Sequence, residues 1–214
     1  MKNVEKIIAV MIAVVILFGT SLVNAEIVFD NGEPTIYADG KDMRSWLQAD
    51  DFILDQDVIL TGGHFWTFED TVAIWDGTIE YFIFADDSGT PGTLISVGDG
   101  QSVQKDVIDI IPGGAECEYS FEFETPVSLV ADNLYWFGLH MASDYSGSSD
   151  VFRWGSNISG FGSTSFESEG GTLDNWTDSG IHRAFYLEGI PEPATILLLG
   201  AGGLALVRRV KQRP

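Results

Sequence analysis

Between residues 26 and 190 the apolar side chains recur at every second position, not every third or fourth, and that period decides the fold class. Phe121-Glu122-Phe123-Glu124 is the plainest case: on an extended strand it puts both phenylalanines on one face and both glutamates on the other. The same spacing predicts strands over residues 51–54, 58–68, 79–85, 93–97, 105–110, 119–123, 134–141, 152–154 and 183–188, separated by clusters of Gly, Asp, Asn and Ser. No interior window carries a sustained amphipathic helical repeat, and no repeat of fixed period recurs. Short strands without crossover helices pair antiparallel, so the expected fold is all-β, an antiparallel β-sandwich of jelly-roll-like topology.

Hydrophobic residues are 45% of the 214 and aromatic ones 12%, enough apolar surface to build one core of ordinary size. The core must hold by packing, because Cys117 is the only cysteine and no intramolecular disulfide can form. Glu116 and Glu118 flank it and oppose thiolate formation, so Cys117 is no candidate nucleophile. Net charge is −21, and residues 26–190 alone hold 30 acids against 5 bases, a formal −25. Such a body is repelled by nucleic acid and by anionic lipid headgroups, which excludes both as principal partners.

The two ends belong to a different regime. Lys2 and Lys6 precede an apolar run over residues 7–18, and Val23-Asn24-Ala25 supplies a small-residue exit. Residues 1–25 therefore read as a secretory signal peptide, cut by signal peptidase after Ala25 to leave Glu26 first. At the other end Pro191-Glu192-Pro193 leads into fourteen uncharged residues, 194–207, and then Arg208, Arg209, Lys211 and Arg213. A helix of that run spans roughly 21 Å, short of a ~30 Å hydrocarbon core unless arginines snorkel and the bilayer thins. Pro193 suits a first helical turn, and the basic cluster both complements the helix dipole and stays cytoplasmic as a stop-transfer signal, which leaves the acidic body outside.

Residues 191–214 resemble the PEP-CTERM sorting signal of bacterial exported proteins, with its Pro-Glu-Pro motif, short apolar helix and terminal basic cluster in the same order. The resemblance implies recognition of Pro191, Glu192 and Pro193 by an exosortase, a membrane-embedded cysteine transpeptidase-like protease. It further implies transient membrane insertion through the C-terminal helix, removal of the tail near the motif, and delivery to the cell surface or the exopolysaccharide matrix. The body, residues 26–190, is similar to bacterial exported β-sandwich domains that carry interchangeable anchoring tails. Asp50-Asp51-Phe52, Gly63-His64-Phe65-Trp66, the turn over residues 84–93, Asn133-Leu134-Tyr135-Trp136-Phe137 and Ala184-Phe185 carry that likeness. It implies an exported module and transfers no catalytic residue.

The residues offer little to catalysis. Asp86/Asp87 and Glu122/Glu124 could be drafted as glycosidase pairs, yet the latter simply face water on an alternating strand. His64, His140 and His182 stand at no motif spacing from a serine or cysteine nucleophile, and one Cys with three scattered His does not make a zinc site. We therefore expect no enzyme and no resident cofactor. Calcium is the one ion the acidic loops would suit, through Asp50/Asp51, Asp55/Asp57, Asp86/Asp87/Ser88, Asp99 and Asp144/Asp150, although no calcium-loop spacing occurs. Trp75, beside Asp76-Gly77, and Trp176, between Asn175 and Thr177, lie in polar turns and are the candidate ligand contacts for extracellular polysaccharide. The leading expectation is a non-catalytic exported protein; the alternative is a carbohydrate-binding module, with or without calcium.

Overall fold

The computed structural model describes residues 24–36, 40–70, 75–146 and 152–192. Among these, the regular elements are all strands: β1 (Glu26–Asp30), β2 (Trp46–Ile53), β3 (Val58–Glu69), β4 (Glu80–Asp86), β5 (Pro91–Ile111), β6 (Gly114–Leu129), β7 (Leu134–His140), β8 (Phe152–Trp154), β9 (Ser156–Asn157), β10 (Phe166–Glu169), β11 (Thr177–Asp178), β12 (His182–Arg183) and β13 (Phe185–Pro191). All their pairings are antiparallel. One hydrogen-bonded path runs β1-β13-β3-β6-β5-β4-β7-β2-β10-β11, with β8 beside β3 and β9 paired to β12. The expected signal peptide up to Val23 and the tail from Pro193 onward, Arg208, Arg209 and Lys211 included, lie outside the described residues.

The path bends at β5. Its first half pairs with β4 up to Asp99, and its second half pairs with β6 from Gly100 onward. A Cβ at Gly100 would stand 2.8 Å from the Phe121 ring, so the corner takes the one residue without a side chain. On either side of the bend two layers face each other: β1, β13, β3, β6 and β8 on one, β4, β7, β2, β10 and β11 on the other. Rings meet across the gap, Phe137 of β7 with Phe185 of β13 at 5.2 Å and Tyr81 of β4 stacked on Phe123 of β6 at 4.1 Å. The alternation expected at residues 121–124 holds: Phe121 and Phe123 are buried in this core, and Glu122 and Glu124 are exposed.

The second layer is apolar on both faces. Leu47, Ala49, Phe82, Phe84 and Trp136 point away from the main core and are covered by Tyr145, Phe166, Leu173 and Trp176. This accounts for the unbroken runs Tyr81-Phe82-Ile83-Phe84 and Tyr135-Trp136-Phe137, which a one-sided strand would interrupt with polar residues.

Each segment expected as a strand is extended, with two differences. The segments at 93–97 and 105–110 are a single strand, because the polar stretch Asp99-Gly100-Gln101 that reads as a turn is the corner of the sheet. Asp50 and Asp51, weighed as loop carboxylates that calcium would suit although Asp51 also opened an expected strand, are interior residues of β2, 0% and 1% exposed.

Candidate functional site

The last strand carries the chain out of the fold. β13 lies between β1 and β3, so Gly189 is opposite Glu26 on one side and Leu60 on the other. Beyond β1 only β3 continues, with Ile190 opposite Ile59 and Pro191 opposite Val58. The Glu192 N–H then donates to the Asp57 carbonyl at 2.9 Å. Ala25, the expected cleavage residue, is exposed immediately before β1. Since β1 starts where β13 ends, the chain enters and leaves the sheet at the same end. Pro193, the third motif residue, is outside the described part.

On the outer face of the same strands lies a cleft of about 480 Å³, with Trp66 and Tyr186 in its lining and Asp30, Glu33, Glu116 and Glu118 around them. His64 stacks on Tyr186 with centroids 4.1 Å apart. The Tyr186 hydroxyl meets His64 Nδ1 at 2.5 Å, and His64 Nε2 faces Glu188 Oε1 at 3.3 Å. Burial, reinforced by the charges of Glu118 and Glu188, pushes the Tyr186 phenol up to about 12. Tyr186 thus keeps its proton at neutral pH and donates toward Glu118 Oε1 at 3.4 Å.

A second polar group is buried where the first and last segments of the domain meet. Asp50 Oδ2 accepts from the Arg183 N–H at 2.5 Å and from Asn31 Nδ2 at 3.1 Å, while Asp50 Oδ1 accepts from the Asp51 N–H at 3.0 Å. The Arg183 guanidinium reaches Glu167 Oε1 at 2.7 Å and Ser156 Oγ at 3.0 Å. Burial raises the Asp50 carboxyl well above the carboxylate range, against the hydrogen bonds it accepts. Burial likewise raises Asp51 to about 6, opposed by the Ser163 N–H at 2.8 Å. Burial lowers His182, so its Nδ1, 4.0 Å from Asp50 Oδ1, makes no ion pair at neutral pH.

These carboxyls set a pH dependence of known sign. Where a folded-state pKa is raised, the native protein holds a proton that the unfolded chain has released, so stability falls as pH rises through the window. For Asp51 the window runs from about 4 to about 6. Asp144 and Asp178 are lowered by hydrogen bonds, from Ser146 and from Thr164 and Gly180, and act in the opposite sense only below that window, while His182, lowered by burial, opposes the trend below about pH 6.5 as one group against Asp50 and Asp51. The melting midpoint is expected to be roughly 5 °C higher at pH 5 than at pH 7.5. Asp51→Asn should flatten that difference; thermal melts in which native and variant chains show the same pH slope would refute the assignment.

Asp150 lies outside the described residues, and several of the other expected site residues are engaged locally. Trp75 Nε1 donates to the Thr78 carbonyl at 2.7 Å and its ring meets Tyr119 edge-on at 5.1 Å. Trp176 Nε1 donates to the Leu173 carbonyl at 3.2 Å and its ring meets Phe84 at 5.5 Å. Both indoles are half-buried against core rings and do not stand free in their turns. Asp86 Oδ1 accepts from the Trp136 indole at 3.0 Å and the Gly89 N–H at 3.0 Å, and Asp57 Oδ1 accepts from the Ala131 N–H at 2.9 Å. Among the described residues no three His, Cys, Asp or Glu side chains converge on a point where a metal ion would sit. Cys117 is buried, and burial with the nearby Glu69 charge pushes its thiol up to about 12. The His64–Tyr186 cleft and the Asp50–Arg183 group were not anticipated from sequence, because each joins residues more than a hundred positions apart.

No curated protein matches the chain. Residues 189–213 match the PEP-CTERM protein-sorting motif, and the match begins inside the last strand, at Gly189. The chain thus joins a β-rich body to a C-terminal PEP-CTERM protein-sorting motif, which implies an exported, surface-directed exosortase substrate.

Proposed function

We propose that the protein is a non-catalytic component of the cell surface or extracellular matrix. Its two layers pack as an antiparallel β-sandwich, jelly-roll-like in that β2, β3 and β4 alternate between layers. Residues 1–25 are removed by signal peptidase, residues 26–190 form the working body, and residues 191–214 are inserted transiently in the membrane and cut away by the exosortase. The observation that carries this reading is the motif match at 189–213 on a strand whose end lies beside Glu26. Ala25 and Glu192, the described residues nearest the two apolar segments, thus lie at one end of the sheet, which suits two segments entering one bilayer. The charge of −25 on residues 26–190 keeps the released body soluble and lets divalent cations bridge it to acidic polysaccharide. Intact-mass analysis of the native protein is expected to give a chain that begins at Glu26 and ends near Pro191. A native surface protein that still ends at Pro214 would overturn the proposal.

One observation favours carbohydrate binding as a second reading. The cleft with Trp66 and Tyr186 offers an aromatic wall with carboxylate acceptors at its rim, the combination that sugar rings and their hydroxyls use. A glycan panel probed with and without calcium tests it: Tyr186→Ala should abolish any signal, and a blank panel removes the reading.

A further inference from the structure

We infer that the folded domain withholds the start of its own sorting motif, and that the exosortase acts on a form in which the end of β13 has left β3. The inference rests on the sorted-and-cleaved reading above and adds a gate to it. The matched signal begins at Gly189, inside β13. Gly189 is buried and paired on both sides, to Glu26 and to Leu60. The next residues stay on β3 as far as the bond from the Glu192 N–H to the Asp57 carbonyl, 2.9 Å.

Proline does not interrupt this arrangement. Antiparallel pairs alternate between hydrogen-bonded and non-hydrogen-bonded positions. With Glu192 bonded to Asp57, the preceding pair, Pro191 with Val58, falls on a non-hydrogen-bonded position, where the missing N–H of proline costs no ladder bond. The first two motif residues are therefore compatible with the sheet, and the register places them in it.

An enzyme that reads an extended peptide takes hold of the same main-chain groups that a neighbouring strand uses. Here β3 occupies them at Ile190 and Glu192. The reaction then breaks a peptide C–N bond at the motif. The acyl carbon passes to the enzyme's thiol as a thioester, and the tail leaves as its amine with the thiol proton. Water or an amine acceptor then releases the body. Although the β1 side of residues 190–192 is open and Glu192 is exposed, the main-chain groups of Ile190 and Glu192 are held by β3, so an enzyme that grips both edges of the peptide must wait for local opening.

Pulse-chase of three chains in the native host, with tail loss read by mass, tests the gate. The chains are the native protein, one with about eight Gly/Ser residues inserted between Glu188 and Gly189 (up to roughly 25 Å of slack), and the pair Ile59→Cys with Ile190→Cys, whose positions face each other in the register. The linker chain should lose its tail on the order of tenfold faster or more, since the few hydrogen bonds that hold the strand end are gone. The cross-linked chain should lose it at least about tenfold more slowly until reductant is added. Equal rates in all three overturn the gate. A faster linker chain beside a cross-linked chain at the native rate also overturns it, because reach and not release would then be limiting. If no chain loses its tail, the sorting reading itself falls, and that result is distinct from either of the others.

Discussion

Replacement of Arg183 by Ala is expected to destabilise the domain by about 3–5 kcal/mol, the largest effect of any single polar substitution among the described residues. Arg183 is fully buried, and its guanidinium is held by Glu167 Oε1 at 2.7 Å and Ser156 Oγ at 3.0 Å. Truncation strands Glu167, itself 6% exposed, as a buried carboxylate that still accepts from the Lys41 N–H at 3.3 Å. At a few degrees per kcal/mol for a chain of this size, the melting midpoint should fall by roughly 6–20 °C. Arg183→Lys keeps the charge but cannot reach Glu167 and Ser156 together, so it should recover only part of the loss. Replacing both partners, Arg183→Met with Glu167→Met, removes the stranded charge and should be milder than Arg183→Ala alone. Urea unfolding of the four chains decides the matter: a loss below about 1 kcal/mol for Arg183→Ala would show that the group is not structurally coupled.

The same residues mark how far the fold could be read from the sequence. The long strands were legible from the pattern alone, β6 by its alternation and β4 and β7 as short, aromatic-rich apolar runs bounded by turn residues. β9, β10, β11 and β12 were not. Two to four residues long and mostly polar, they exist because Asn31, Asp50, Asn157 and Arg183 satisfy main-chain groups distant in sequence, such as the Arg183 carbonyl bonded by Asn31 Nδ2 at 2.8 Å. Periodicity carries no information about such partners. Trp75 and Trp176 show a different limit: a polar turn suggests exposure, and both are partly exposed, but it does not reveal that Tyr119 or Phe84 lies underneath. The sorting motif was legible because its residue types, order and spacing suffice. Its attachment to β3 was not, since proline ordinarily reads as the end of a strand and only the register shows that Pro191 falls where its missing N–H does no harm.

Trp154→Ala should cost a further about 3–5 kcal/mol by a different route, a cavity between the layers. Trp154 is fully buried on β8, with its ring 5.9 Å from Phe185, 6.0 Å from Phe137 and 6.1 Å from Phe65. It therefore touches β13 and β3 on its own layer and β7 on the opposite one. Its indole N–H donates to the Ala184 carbonyl at 2.8 Å, so truncation leaves that buried acceptor unpaired as well as the space unfilled. Trp154→Phe retains most of the volume and loses the donor, which should cost about 1–2 kcal/mol and so separates the hydrogen bond from the cavity. No disulfide shares the load, because the lone Cys117 is buried in the same core with its thiol proton held. Guanidinium unfolding of both variants checks the partition, and equal losses for Ala and Phe would assign the effect to the indole N–H instead of packing. Trp154 sits against Phe185 at the start of β13, six positions before Pro191, so the Ala variant loosens the core while the Glu192–Asp57 bond stays intact. If tail removal is governed by the strand end, Trp154→Ala should lower global stability far more than it speeds processing; if it is governed by unfolding of the whole domain, the two should change together.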